Sequence, residues 1–123
     1  MKKLTSLLLI SALLLSLFTG CGKQIFDGSR TGNDKQFIMD YKVLNKTETH
    51  EMKLDKGAKV DVAIKNKSGR LDVIVESADG KEIYKGNDIE SGQFTLEIED
   101  SGTYKFTVIG AKAKGSVSFK VRE

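Results

Sequence analysis

Apolar and polar residues alternate with a period of two from residue 36 to the end of the chain. The alternation is found in six runs, at residues 37–43, 60–64, 71–75, 94–98, 104–108 and 117–121. Alternate side chains of an extended strand lie on the same face, so each run provides one apolar and one polar face. On a helix the same residues would be scattered around the axis among lysine and carboxylate side chains. The pattern therefore predicts β-strands.

Turn-forming residues separate these runs. They occur at 55–57, 66–69, 79–80, 91–92 and 100–102 and at Gly115, and the Asp-Gly and Ser-Gly pairs among them permit the positive φ angles of tight hairpins. Two shorter apolar segments, at 52–54 and 83–84, predict two further strands. This spacing predicts an all-β domain over residues 35–123, an antiparallel β-sandwich of about seven to eight strands.

The first 20 residues have a different pattern. Lys2 and Lys3 precede residues 4–18, which are rich in leucine and carry no charge, and the small residues Thr19 and Gly20 follow. This layout is typical of a secretory signal peptide, and the apolar segment is shorter than the roughly 20 residues that a transmembrane helix needs. We predict a signal peptide at residues 1–20 that is removed from the mature protein.

Cys21 is the single cysteine of the chain, and three roles compete for it. A disulfide within the chain is excluded because there is no second cysteine. A catalytic thiol would need a base and an electropositive setting, and the single histidine, His50, lies in a polar stretch with nothing to pair the two. Acylation needs only exposure, a small neighbour and a preceding signal, and it is the role that we predict.

The residues LFTGC at 17–21 resemble a bacterial lipobox, in which an apolar residue and small residues precede the cysteine. The resemblance implies a mature protein that starts at Cys21 and carries a diacylglyceryl thioether there. At about 0.8 kcal/mol per buried CH₂, two or more acyl chains hold a protein stably on a membrane. The implied location is extracytoplasmic, on the bacterial cell membrane or, in a Gram-negative cell, the outer membrane.

Residues 22–34, GKQIFDGSRTGND, contain three glycines, several short polar residues and no alternation. We interpret residues 21–34 as the lipidated cysteine and a flexible tether with a root-mean-square reach of roughly 20 Å. Ile25 and Phe26 are the exception, and either pack onto the domain or contact lipid headgroups.

Removal of residues 1–20 changes the size and charge of the protein. It leaves 103 of the 123 residues, which is the size of one domain. Lys2 and Lys3 are lost with the signal peptide, so the 20 basic residues become 18, against 17 acidic residues. A nearly neutral, mixed surface has no general attraction to nucleic acid, and we predict no nucleic-acid partner.

The segment Asp100-Ser101-Gly102-Thr103-Tyr104 resembles the D-x-G-x-Y tyrosine corner of immunoglobulin-like domains, in which the tyrosine hydroxyl bonds back to the chain. Phe106 stands where such domains often have cysteine, and the chain has no tryptophan, so a jelly roll is the alternative topology. The whole layout is similar to small lipoproteins of Gram-positive bacteria that end in a Gly-x-Tyr strand, a Lys-rich turn and a last strand. That likeness adds no activity.

Residue types that carry catalysis or bind metals are sparse. The carboxylates mostly share outward strand positions with lysine, as in a solvated face. One histidine, and one cysteine committed to lipid, do not make a zinc site, and the chain has no calcium-loop or phosphate-loop motif. We therefore predict that the protein is not an enzyme and has no cofactor and no metal site.

Three residues are candidates for ligand binding. Lys112 and Lys114 lie close together in GAKAKG, residues 110–115, which we predict to be a turn; they are candidates to bind an anionic wall polymer or headgroup, although lysines on a hairpin also guard against sheet aggregation. Tyr84 offers a ring for stacking on a sugar. Tyr41 lies in the core-facing phase of its run and is predicted to be buried.

The leading hypothesis is a lipid-anchored extracytoplasmic surface lipoprotein that acts as a non-enzymatic interaction or accessory module. The alternative is a carbohydrate or anionic cell-wall polymer binding module that uses an outer sheet face or the turn with Lys112 and Lys114, by analogy with other sandwich folds. In both, the N-terminal lipid anchor holds the protein to the membrane, and the partner is a protein or a cell-wall glycan. The sequence does not indicate the oligomeric state.

Overall fold

The computed structural model describes residues 23–123, so Cys21 and the predicted signal peptide with its cleavage site lie outside the described residues. The strands are β1 (Ile25–Gly32), β2 (Gln36–Asn45), β3 (Thr47–Leu54), β4 (Lys59–Ser77), β5 (Glu82–Gly86), β6 (Gly92–Glu97) and β7 (Gly102–Val121). Every strand pairing in residues 23–123 is antiparallel. A bilayer-spanning helix is not among the elements of this part of the chain.

Two long strands, β4 and β7, form the frame of the domain. They pair with each other from residue 60 to residue 77 of β4. Register shifts interrupt this pairing between Asn66 and Arg70. Bulges of this kind bend a strand, and they allow one pair of strands to pass from one sheet layer into the other.

The bends divide the sheet into two layers. The first has the order β1, β2, C-terminal half of β7, N-terminal half of β4, β6; the second has the order β3, N-terminal half of β7, C-terminal half of β4, β5. Phe106 and Phe119 come from opposite halves of β7, and their ring centroids are 5.0 Å apart in the core. The prediction of an all-β antiparallel sandwich is confirmed.

The core residues follow the alternation seen in the sequence. The largest fully buried side chains are Phe37, Phe106, Phe119, Met39, Leu44, Met52, Leu71, Ile98, Val60, Val62, Val73 and Val75. Tyr41 is also buried, as predicted. Full burial of an apolar side chain of this kind contributes about 1.5–3 kcal/mol relative to an exposed position, so the two inner faces hold the layers together.

Two segments predicted to be turns are bends within strands. Residues 66–69 lie inside β4, and residues 110–115 lie inside β7. Glycine and short polar residues serve here at the bulges of bent strands and do not reverse the chain. The prediction of a turn was wrong at both places, and the runs on either side of each belong to one strand.

Strand β1 corrects the predicted tether. Residues from Ile25 to Gly32 pair with β2 along their whole length, so the predicted flexible segment contributes an edge strand. Its register places Phe26, Gly28, Arg30 and Gly32 opposite the buried side of β2. Of these four residues only Phe26 has an apolar side chain. The sequence of β1 therefore shows no alternation of apolar and polar residues.

The bends depend on close approach of the two backbones at two glycines. Gly69 in β4 has a φ of 76°, and a Cβ atom there would overlap the carbonyl oxygen of Lys112 in β7. A Cβ atom at Gly115 in β7 would overlap the carbonyl oxygen of Lys65 in β4. Each strand therefore provides one residue without a side chain at the point where the other strand crosses closest.

We expect Gly69→Ala to destabilise the domain much more than Gly57→Ala. Both glycines have positive φ angles, 76° and 87°, so both substitutions cost about 1–2 kcal/mol in backbone strain. The Cβ position at Gly57 is open, whereas alanine at position 69 also forces β4 and β7 apart. Urea unfolding should show a loss at least about 2 kcal/mol larger for Gly69→Ala, within the range of severe backbone and packing substitutions. Equal losses would contradict the role of the close approach.

Two buried tyrosines differ in their hydrogen bonds. The Tyr104 hydroxyl donates to the carbonyl oxygen of Asp100 at 2.5 Å, which is the bond that the tyrosine-corner resemblance implied. The Tyr41 hydroxyl is buried and has no hydrogen-bond partner among residues 23–123. Burial, and then the charge of the adjacent Asp40, raise the pKa of Tyr41 to about 12.

Removal of the two hydroxyl groups should therefore have opposite effects. Tyr104→Phe loses a made hydrogen bond and should lower the free energy of unfolding by about 1 kcal/mol. Tyr41→Phe removes a buried group that has lost its water without gaining a partner, and should leave stability unchanged or raise it by about 1 kcal/mol. Denaturant unfolding of the two variants side by side measures the difference, and a destabilised Tyr41→Phe would contradict it.

The Tyr41→Phe variant also isolates the effect of alkaline pH on the stability of the domain. The pKa of Tyr41 is about 12 in the folded protein and about 10 in an unfolded chain, so the unfolded state loses this proton first. Ionisation of Tyr41 therefore leaves the free energy of unfolding unchanged below pH 10 and lowers it as the pH rises from about 10 to 12. Stability of the wild type should fall more steeply than that of Tyr41→Phe over this window, and parallel curves would contradict the raised pKa.

Candidate functional site

The end of the sandwich that is formed by the two bends carries four exposed lysines. Lys67 lies at the bend of β4, and Lys112 and Lys114 lie at the bend of β7, where Lys114 is paired with Ser68. Lys23 precedes β1 at the same end. We call Lys23, Lys67, Lys112 and Lys114 the corner patch.

Asn45, the last residue of β2, holds two parts of the corner patch together. Its Nδ2 donates to the carbonyl oxygen of Lys23 at 2.8 Å, and its Oδ1 accepts from the backbone N–H of Lys112 at 3.0 Å. Lys112 has a φ of 50°, a left-handed conformation that is uncommon outside glycine. One amide side chain thus attaches the start of the described chain to the bend of β7.

Carboxylates neutralise the neighbouring cations and not the corner patch. Lys46 pairs with Glu48 at 3.6 Å, and Arg70 pairs with Asp72 at 3.2 Å. No ion pair within residues 23–123 involves a corner-patch lysine. Ile25 lies at the same end of the sandwich, because it pairs with Asn45 in the β1–β2 register. Its side chain is 39% exposed. The bend end of the molecule therefore combines four lysines that make no ion pair in the described residues with an exposed apolar side chain, next to the β5–β6 loop that carries Asp88 and Glu90.

The opposite end of the sandwich has a groove of the opposite charge. The loop after β4 and the loop between β6 and β7 line a space of about 470 Å³, which we call the loop-end groove. Its charged side chains are one lysine and five carboxylates: Lys81, Asp79, Glu82, Glu97, Glu99 and Asp100. The hydroxyl of Ser77 donates to Asp79 and holds the pKa of that carboxyl below its usual range. The groove is therefore acidic at neutral pH.

The acidic side chains of the groove are not arranged as a metal site. Among residues 23–123 no three histidine, cysteine or carboxylate side chains come together in a way that would hold a metal ion. Carboxylates in an open groove accept hydrogen bonds and attract cations, so the chemistry that this surface offers is recognition of basic or hydrogen-bond-donating groups.

Tyr84 forms part of one edge of the sandwich. It lies on β5 opposite Val75, and its ring centroid is 4.7 Å from that of Phe94 on β6. Since β5 and β6 are edge strands of different layers, the two partly buried rings close the gap between the layers. The tyrosine ring is engaged in packing, and it does not lie in the corner patch.

Arg30, which the sequence does not mark as special, closes the other edge. Its guanidinium donates to Glu48 at 2.7 Å and to the carbonyl oxygen of Thr49, and its Cζ lies 4.8 Å from the centroid of the Phe37 ring. These contacts join β1 of the first layer to β3 of the second. His50 also lies on β3, an edge strand, with Nε2 2.8 Å from the carbonyl oxygen of Asn33. The contacts of Arg30 therefore hold the two layers together at this edge.

The structure thus brings two of the predicted site residues, Lys112 and Lys114, into one surface with two lysines that sequence reasoning missed. The available signal was the repeated spacing of Lys65-Asn66-Lys67 and Lys112-Ala113-Lys114. Spacing alone does not show that these two segments are adjacent, because the pairing of β4 with β7 brings them together.

No protein-family model matches the chain, and no curated protein matches it. Solved structures do. The pre-peptidase C-terminal domain of collagenase from Bacillus anthracis is 12% identical, with a TM-score of 0.50 over 82% of this chain and 100% of that domain. PliG from Aeromonas hydrophila, a periplasmic lysozyme inhibitor of g-type lysozyme, is 13% identical, with a TM-score of 0.49 over 82% of this chain and 91% of that chain. At these identities the likeness to the collagenase domain shows a shared fold.

Proposed function

We propose that this protein is a lipid-anchored, non-enzymatic interaction module on the extracytoplasmic face of a bacterial membrane, held by Cys21 and presenting the loop-end groove to a partner. The lipobox-like LFTGC at residues 17–21 supports the anchor. The observation that carries the proposal is the start of β1 at Ile25, only four residues after Cys21, at the end of the sandwich opposite the groove.

Chain length sets how far the sandwich lies from its anchor. Four residues span at most about 14 Å even when fully extended. The bend end of the domain therefore lies close to the membrane surface once Cys21 is acylated. The eight residues of β4 from Arg70 to Ser77 rise about 23 Å over seven steps of about 3.3 Å each. The loop-end groove then faces away from the bilayer, where a partner in the envelope is accessible.

The loop end has the features of a recognition surface on a rigid support. Loops carried by a packed sandwich tolerate variation and commonly carry binding residues. The groove presents an excess of carboxylates, which selects for a partner with basic or hydrogen-bond-donating groups through charge complementarity. The proposed partner is thus an envelope protein or glycan that bears such groups.

The anchor is tested by metabolic labelling. A clickable palmitate analogue should label the wild-type protein in its host and leave Cys21→Ser unlabelled, because the thioether at Cys21 carries the diacylglyceryl group. Cys21→Ser should also leave the membrane fraction. Equal labelling of the two proteins would contradict the lipoprotein assignment.

The partner surface is tested by photocrosslinking on intact cells. A photoreactive amino acid at Glu99, in the groove, should give a discrete crosslinked product, and the charge reversal Glu97→Lys in the same protein should reduce its yield severalfold. The matched control is the same photoreactive residue at Asp40, an exposed carboxylate position on β2. Identical products from both positions, or none from Glu99, would contradict a role for the groove.

A further inference from the structure

We propose that the corner patch and Ile25 dock onto anionic phospholipid headgroups and so fix the orientation of the sandwich on the membrane. The inference rests on the proposed lipid anchor for the position of the patch, and it adds a second contact with the bilayer. It concerns the surface that faces the membrane, whereas the proposed function concerns the opposite end.

The position of the patch follows from chain connectivity. Lys23 is two residues after Cys21, a distance of at most about 7 Å in any conformation. The hydrogen bonds of Asn45 to the Lys23 carbonyl and the Lys112 N–H attach this point to the bend of β7. Lys114 lies two residues further along β7, opposite Ser68 of β4. An acylated Cys21 therefore brings the whole patch to the headgroup layer.

The charge of the patch suits that location. Its four lysines are exposed and make no ion pair within residues 23–123, whereas the carboxylate-rich groove lies at the far end. A lysine near an anionic leaflet strengthens membrane binding about fivefold. The acidic groove is repelled by the same surface, so both ends of the molecule favour one orientation.

Ile25 adds an apolar contact at the same place. It is the single large hydrophobic side chain that is exposed in residues 23–123, and its register partner is Asn45. An exposed apolar side chain beside lysines is the combination found in surfaces that insert shallowly at the headgroup boundary.

Phospholipid is favoured over a wall polymer as the anion. Both carry phosphate, but the anchor holds the patch beside lipid headgroups at a high effective concentration, as a short tether does for any second contact. A wall polymer is not held at that distance by the chain.

The orientation is tested with the acylated protein in vesicles of phosphatidylcholine, with and without phosphatidylglycerol. Ser68→Cys reports on the patch and Glu99→Cys on the groove, and each is reacted with an uncharged maleimide reagent. Phosphatidylglycerol should slow the reaction at position 68 severalfold and leave position 99 unchanged. High salt should remove the effect because it screens exposed charges. Equal rates at position 68 in the two kinds of vesicle would overturn the proposal.

Charge variants identify the lysines. Lys67→Gln, Lys112→Gln and Lys114→Gln together should restore fast reaction at position 68. The matched control, Lys53→Gln, Lys56→Gln and Lys85→Gln, removes the same charge from exposed positions elsewhere and should change nothing. An equal effect of both sets would show net charge to be responsible and would overturn the assignment to the corner patch.

Failure of the anchor is separable from failure of the patch. In the protein without an added cysteine, reaction of Cys21 itself with maleimide would show that the anchor is absent and the proposed function wrong. Flotation of unanchored Cys21→Ser with the two kinds of vesicle then tests the patch alone. Binding to phosphatidylglycerol vesicles that is lost in the triple corner variant supports the docking surface. No difference between the vesicles, or a preference for purified wall polymer over them, would overturn it.

Discussion

The close approach of β4 and β7 at their bends is the constraint on which the rest of the structure depends. Gly69 and Gly115 leave no room for a side chain because the carbonyl oxygens of Lys112 and Lys65 occupy that space. Without this approach the two long strands would continue as one twisted sheet with an exposed apolar face. With it, the halves of each strand face each other, and Phe106 packs against Phe119 from the same strand. A backbone contact therefore creates the core that the hydrophobic effect stabilises.

The two edges of the sandwich are closed by different chemistry. On one side Arg30 reaches from β1 to Glu48 and stacks on Phe37. A charged group therefore covers the core while its charge is paired with a carboxylate. On the other side Tyr84 packs on Phe94. Edge strands that carry charge or are covered by side chains resist pairing with other chains. Both edges are occupied in this way, and the corner patch and the acidic loop-end groove lie at the two ends of the sandwich.

Much of the fold was predictable because strand alternation is local. The core-facing residues of β2, β4 and β7 and the hydrogen bond of Tyr104 to Asp100 agree with expectation. The bends were predicted to be turns because glycine and short polar residues favour both, and the sequence does not distinguish a bulge from a reversal. β1 was predicted to be a tether because its inward side is made of Phe26, Arg30 and two glycines. Its stability as a strand comes from pairing with β2 and from the contacts of Arg30.

The sequence by itself determined the strand class, the inward-facing residues and the expectation that Cys21 is acylated, because each rests on neighbours within a few positions. Only the tertiary structure decided that the domain begins four residues after Cys21, that Lys67 and Lys23 join Lys112 and Lys114, and that the carboxylates of the groove gather at the other end. These features depend on the register between strands distant in sequence and on space left at two glycines. The local sequence pattern specifies neither the register nor the space at the glycines, because both are set only when distant strands pack together.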